Sequence, residues 1–386
     1  MSPQLKSKLC IAGYIAVSLL SAGTLLAAYG GMVNPEKTVI PALLTLTFPG
    51  WILAEFAAII ICLIFCRRMA VLPAVTLAIC MGPLLDFCPV NLGTPSLTRS
   101  QQENRFTLLS YNVMGFGNNA NPWTDETRPA SNSEYEALMD SGYVNQSMEY
   151  ILHMAPDIGC FHECPDLKKN IYTSISQEME DSITRIFPHQ AAMKGERIAT
   201  RYSMQEVTLR QPDSDTGRYV AAEVNIDGHK TLLVAVHLES ICLNSDDKQL
   251  FVRLTEGEGT RNVKAVKEQL LGKLARAFRK RAVQARELRE QIDSLGYENV
   301  IIAGDFNDIA GSYALRTIAG DDFRSVFTSV GCGPVYTYHS SRLLFNIDHV
   351  LYKGNMKAVG YRRDKKGWSD HYPVAVEFCW ETPAKQ

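Results

Sequence analysis

The sequence predicts a mixed α/β domain behind an apolar N-terminal region, and three observations carry that expectation. Hydropathy divides the 386-residue chain near residue 90, apolar before it and normally charged after it. Beyond the divide, short apolar runs of strand length alternate with a few segments of helical periodicity. Those short runs end repeatedly on an acid, an amide or a histidine. The length suits one large domain plus an extra module. A net charge of −2 argues against a strongly basic nucleic-acid binder.

Residues 1–88 read as a transmembrane region of about three helices, 9–30, 44–66 and 69–87. The first carries no charge and has the ~20 residues that a bilayer core requires. A cleaved signal peptide is its competing reading, but further apolar runs follow and no clear small-x-small cleavage site stands out. The second run contains one acid, Glu55, which is either functional, near the interface or against another helix. The third has two prolines and ends beside Asp86, so it is the weakest span. Lys6 and Lys8 precede the first span, and Arg67-Arg68 separate the second from the third. Positive charge stays cytoplasmic, so three crossings place the remainder on the periplasmic or extracellular side, and two would keep it in the cytoplasm.

Ten cysteines are scattered with irregular spacing, which does not make a disulfide framework. If Cys160 to Cys164 is extended, the two Cα atoms stand about 13 Å apart, beyond disulfide reach. In the same stretch, "CFHEC", alternation puts Cys160, His162 and Cys164 on one face and Glu163 on the other. That spread is too wide for one tetrahedral zinc ion.

Residues 89–104 read as a polar linker and 105–380 as the domain. "RFTLLSYNVMGFG" (105–117) is a strand entering a glycine turn, and 155–166 holds a short strand between prolines. Residues 217–240 form a hairpin turning at Asp227-Gly228. From 261 to 293, Leu270, Leu274, Phe278, Ala282, Ala285, Leu288 and Ile292 recur at helical spacing. The basic run in that helix, 273–292, reads as a solvated face, with a membrane-surface or phosphate-substrate role as the alternative. "NVIIAGDFND" (299–308), 345–354 and 369–380 supply further strands.

The polar strand ends carry the chemistry. Asn112, Glu163 and His237 close three strands, and Asp305 with Asn307 closes a fourth. Asp348 lies in "NIDHVLY", and Asp370-His371 precede "YPVAVEF". Each alone reads as a cap or solvated turn; six exits together point to a site. Glu163, Asp370 and Asn112 supply the oxygens that a hard ion such as Mg²⁺ takes, with Mn²⁺ as an alternative. Asp305 and Asn307 are two apart, so an extended segment points both the same way and sends Phe306 to the core. Gly304 permits close backbone approach, and Asp308 is expected to serve the following turn. Asp348 can hold His371 in one tautomer, and His237 can donate to an anion. The inventory suits metal-assisted attack of water on a phosphate ester.

In this order, "SYNV", "FHE", "VHL", "GDFND", "IDHVLY" and "SDHYPV" resemble the endonuclease/exonuclease/phosphatase superfamily, over residues 105–380. With apolar spans ahead of it, the layout also resembles membrane-anchored bacterial members. The resemblance implies a four-layer α/β sandwich, two packed mixed sheets flanked by helices, and Mg²⁺-dependent hydrolysis of a phosphate ester, as a phosphodiesterase or phosphatase. Glu163 would be the main metal ligand, with Asn112 and Asp370 near the ion. Asp305 would position or activate water, while Asn307 and His237 hold the phosphate. His371, paired with Asp348, would stabilise the charged transition state or act as the base, and the sequence leaves the base open between that pair and Asp305. Two positions depart from the family pattern: His162 stands where Gln is common, and Asn346 where Arg often precedes Ile-Asp. Glu196 fits the family's further acid only loosely.

The tether and the mildly acidic domain favour a phospholipid headgroup or small phosphoester over nucleic acid. An endonuclease acting on DNA or RNA is the alternative. A non-catalytic, membrane-tethered binding module of the same fold is the second, weakened because no expected polar position is missing. The expected location is a bacterial inner (plasma) membrane. The sequence sets neither the oligomeric state nor the number of metals.

Overall fold

The computed structural model describes residues 3–93, 95–116, 146–164, 181–243, 247, 263–340 and 343–381. Gly117, Pro165-Asp166 and residues 261–262, read above as parts of a turn, a strand segment and a helix, lie outside them.

Helices α1 (Pro3–Tyr29) and α3 (Phe48–Phe65) are each long and apolar enough to cross a membrane. Helices α4 (Val71–Ile79) and α5 (Met81–Phe87) belong to a pair bent by 59° that qualifies as one broken span. A short helix, α2 (Ile40–Leu46), leads into α3. Val17, midway along α1, packs with Cys62, Met69 and Ala70, whereas Ala27 and Ala28 near its end pack with Phe48 and Ile52. Helices α1 and α3 are therefore antiparallel, and the Arg67-Arg68 turn lies by the beginning of α1. Large apolar side chains stay exposed around this bundle, among them Leu19, Ile64 and Phe65, as a lipid-facing surface requires. Glu55 is fully buried beside Ser21 and Thr24 of α1, held against another helix.

The rest of the chain sits on the opposite end of the bundle. At Gly31 a Cβ would lie 1.8 Å from the Gly311 carbonyl oxygen, so only glycine allows that approach. Arg286 pairs with Glu36 at 2.5 Å. Segment 89–104 is anchored too: Asn91 donates to the Thr328 and Gly331 carbonyls, at 3.1 and 2.7 Å. Its later part is a short helix, Arg99–Glu103, started by a capping box between Thr98 and Gln101.

Two six-stranded sheets form the domain. The first runs β13 (Met356–Arg363), β14 (Val374–Trp380), β1 (Arg105–Asn112), β2 (Ile158–His162), β4 (Glu196–Thr200), β3 (His189–Met193). The second runs β5 (Met204–Val207), β6 (Arg218–Ile226), β7 (His229–His237), β8 (Asn299–Asp305), β12 (Asp348–Lys353), β9 (Arg324–Ser325). A separate small ribbon pairs β10 (Tyr338–Ser340) with β11 (Leu343–Phe345). Strand alternation explains the layers. Ile301, Ala303, Leu233 and Ala235 face Leu108, Ile158 and Ile198 across the inter-sheet core. Val300, Ile302, Leu232 and Val234 face outward onto Leu288 and Ile292 of the long helix α7 (Val263–Leu295) and Ile318 of α8 (Tyr313–Ala319). On the other side, Leu109, Tyr111 and Phe161 pack on Met148 and Ile151 of α6 (Gln146–Met154). The result is the four-layer sandwich expected from the resemblance.

The hairpin turns where expected, with positive φ at Asp227 and Gly228 (51° and 91°), as a two-residue turn between twisted strands requires. Register then positions the site. β1 and β2 are parallel, and so are β7 and β8, while the remaining pairs are antiparallel. Parallel neighbours send their C-terminal ends to one edge, so Asn112 and His162 emerge together, as do His237 and Asp305. Antiparallel β12 starts at that edge, placing Asp348 directly opposite Asp305.

Candidate active site

The two sheets are joined at this edge by three polar pairs. Asn112 Nδ2 donates to Asp305 Oδ2 at 3.3 Å and to Glu163 Oε1 at 3.0 Å. Glu196, at the start of β4, accepts from His237 Nδ1 at 3.3 Å and lies 2.5 Å from His162 Nδ1. Asp348 Oδ2 lies 2.8 Å from His371 Nδ1, and His371 Nε2 faces Asp305 Oδ2 at 3.5 Å. All eight residues expected at the site are at this edge. Glu163, His237, Asp305, Asn307, Asp370 and His371 line one cavity of about 260 Å³. Asn112 and Asp348 stand behind it, through their bonds to Glu163, Asp305 and His371.

Backbone strain marks the same place. Glu163 and Asn307 both have left-handed φ, 48° and 50°, a conformation uncommon outside glycine and often stored at functional sites. At Gly304 a Cβ would lie 2.0 Å from the Val236 carbonyl oxygen and 2.7 Å from the His162 ring. Only glycine lets β8 pass so close to β7 and His162.

Burial sets the charge states. Desolvation pulls the His237 imidazole down, but the bond to Glu196 and the charges of Asp305, Glu196 and Glu163 lift it to about 9. Desolvation also opposes charge on His371, and the carboxylates of Asp348 and Asp305 more than reverse that, holding it well above the usual histidine range. Burial pushes Asp348 up, yet His371 keeps it below the ordinary carboxylate value. Asp305 is the contrast: burial raises it despite the opposing pull of His371 and His237. At neutral pH the pair is an imidazolium on a carboxylate, with a second, more basic carboxylate on the far ring nitrogen.

Asp305, Asp348 and His371 present ligand atoms within 4.8 Å of one another. Each ring nitrogen of His371 already faces one of the two carboxylates, hydrogen-bonded to Asp348 and ion-paired with Asp305, so these three form a relay. The donor set that fits a hard divalent ion is the other one. Glu163 is exposed and Asp370 half-buried at the cavity, and neither carboxylate is in an ion pair among the described residues. Asn112 Oδ1 accepts from the Met114 N–H at 3.0 Å, which leaves the amide nitrogen facing Glu163. Asn112 would therefore reach an ion held here through Glu163.

Several details differ from the sequence reading. Asn307 leaves the extended conformation, and its amide nitrogen donates to the Leu238 carbonyl at 3.0 Å, so one N–H remains for an anion. Asp308 is not confined to its turn: it is buried and pairs with Arg281 of α7 at 3.1 Å. Arg281, from the basic run read as a solvated face, is 1 % exposed and also holds the Glu239 carbonyl. Cys160 lies in the inter-sheet core and Cys164 in the outer core, because the left-handed turn at Glu163 breaks the alternation. Glu196 and His162 were undervalued. The only signal for Glu196 was an acid opening a strand otherwise buried throughout, the pattern that marked the other site residues.

Residues 187–371 match the endonuclease/exonuclease/phosphatase family, and residues 8–87 match a family described as a domain of unknown function. No curated protein matches the chain. Among solved structures, it is similar to a humanized TDP2 from D. rerio at 16% identity, with TM-score 0.41, covering 71% of this chain and 98% of that one. It is similar to the human Nocturnin catalytic domain at 14% identity and TM-score 0.43, covering 72% and 94%. An endonuclease/exonuclease/phosphatase from Bacteroides vulgatus is 11% identical with TM-score 0.44, covering 72% and 99%. Members of the matched family are hydrolases acting on phosphoesters. The match across 187–371, together with two packed mixed sheets flanked by helices, gives this chain the fold of the endonuclease/exonuclease/phosphatase family that its motifs resemble.

Proposed function

We propose that the chain is a membrane-anchored, Mg²⁺-dependent phosphoesterase acting on a phosphodiester or phosphomonoester outside the cytoplasm. The observation that carries the reading is the relay Asp348–His371–Asp305 beside Glu163 and Asp370, two carboxylates in one cavity with no ion pair among the described residues. Glu163 and Asp370 would hold the ion, with Asn112 orienting Glu163. Such an ion polarises the phosphoryl oxygens and offsets the charge that develops on them. A protonated imidazole cannot accept a proton, so His371 serves as charge stabiliser and proton donor, fixed by Asp348. Asp305, whose carboxyl is the more basic, orients the water and takes its proton. His237, kept charged by Glu196, and the remaining N–H of Asn307 hold the phosphate. The location follows from Lys8 and Arg67-Arg68 at the bundle end away from the domain.

A generic chromogenic phosphodiester tests this with the full chain in detergent and Mg²⁺. Asp305→Ala should lower the rate by about 10²–10⁴. Equal rates in wild type and variant sink the catalytic reading and leave a binding module. Rapid nicking of plasmid DNA in the same assay, faster than any lipid or small ester, would favour a nuclease.

A further inference from the structure

The cavity that holds the catalytic groups also has a stretch of apolar wall, beside the Arg281–Asp308 pair. This wall is Leu274 and Phe278 of α7, with Leu46, Ile309, Leu343 and Phe345. Leu46 belongs to the helix bundle, at the end of α2. A second cavity, of about 550 Å³, begins at that wall and shares Leu46, Ile309 and Phe345 with the first. It runs along the seam between bundle and domain, past Phe48 and Leu53 of α3 and Leu84 of α5 on one side, and Val335 and Leu344 on the other. Among the described residues no charged side chain lines it. At its margin Leu53 is 70 % exposed and Leu344 54 % exposed, and Leu53 is on the face of α3 that reads as lipid-facing. The docking contacts at Gly31, Glu36–Arg286 and Asn91 keep this seam in register with the cleft.

We propose that the seam is a lateral groove for the hydrocarbon chain of a membrane phospholipid, whose phosphoester then reaches the catalytic end of the cleft. The proposal rests on the hydrolase reading and adds the substrate class. A water-soluble phosphoester or a nucleic-acid strand has no use for an uncharged channel open to the membrane interior. Exposed apolar surface of this kind costs free energy in water and is neutral or favourable against acyl chains. Entry from the side also spares the lipid from leaving the bilayer, because the scissile group sits near the interface while the chains stay in hydrocarbon.

The test compares short-chain, water-soluble phosphatidylglycerol with its long-chain form in mixed micelles, using the full chain and Mg²⁺. Wild type should prefer the long-chain form in kcat/KM. Leu344→Glu, which puts charge at the groove margin, and Leu53→Trp, which fills the groove without losing apolar character, should each cut that preference about tenfold. An unchanged preference in both variants overturns the groove, and so does a wild type indifferent to chain length. A long-chain phospholipid with a diazirine in its acyl chain gives a readout independent of hydrolysis. Labels on the α3, α5 and 334–346 peptides support the groove, even where no ester is cleaved and the hydrolase reading has failed. Labels confined to the outer surface of α1 and α3 overturn it, even where a chromogenic phosphodiester is hydrolysed.

Discussion

The first sheet's exit loops carry Glu163 and Asp370 to the mouth of the cleft, where Glu163 is exposed and Asp370 half-buried; the second sheet delivers Asp305, Asp348 and His237 with 6 % exposure or less. The difference is chemical as well as positional. A solvated carboxylate without an ion pair has oxygens to share with an ion that keeps much of its own water. A buried carboxylate persists only when paired, and its partner then fixes its protonation state. The exit loops of the first sheet are thus suited to a metal, and the strand ends of the second to handling a proton and an anion. His371 and Glu196 come from the first-sheet side and reach across, which is why the pairs that join the sheets are also the pairs that set charge.

That division can be broken from either side. The largest effect is expected from His371→Ala, which removes the relay: the rate falls by about 10²–10⁴ with the Mg²⁺ half-saturation unchanged. A shift in half-saturation instead places His371 at the ion. Asn112→Ala acts on the open side. It should raise half-saturating Mg²⁺ by about 10–100-fold, with the maximal rate recovering at high metal. A rate that stays low at every Mg²⁺ concentration assigns Asn112 to Asp305.

The same buried side also predicts a pH dependence of stability. His237 is lifted from its ordinary 6.5 to about 9 in the fold. A raised folded value means that the contribution is full below the unfolded value and fades as pH climbs to about 9. Its size is on the order of 3 kcal/mol. Thermal unfolding in detergent between these limits should show the fall, and Glu196→Gln should flatten it. A variant that keeps the full slope places the cause outside this pair.

Much of this was legible in the sequence because strand period and polar punctuation coincide. Ile301 and Ala303 alternate with Val300 and Ile302, and the acid at 305 ends the run, so layer and site edge follow together. The order of the polar exits also read correctly as one cluster. Glu196, His162 and Arg281 were not legible, for a shared physical reason: their charge is neutralised by partners 34, 34 and 27 residues away, and no local pattern records such a pairing. Asp308 was misjudged with Arg281, since a residue next to a turn reads as solvated until its buried partner is known. The seam groove is likewise invisible in one dimension, because Leu46, Ile309 and Phe345 share no periodicity.

Metal dependence is the most direct test of the account. The full chain is assayed on a chromogenic phosphodiester after exhaustive chelation and again with added Mg²⁺, for wild type and Glu163→Gln. The account predicts no hydrolysis in chelator, recovery with Mg²⁺ in wild type, and recovery in Glu163→Gln only at far higher Mg²⁺. Hydrolysis that persists in chelator, or is restored equally in both proteins, would contradict it.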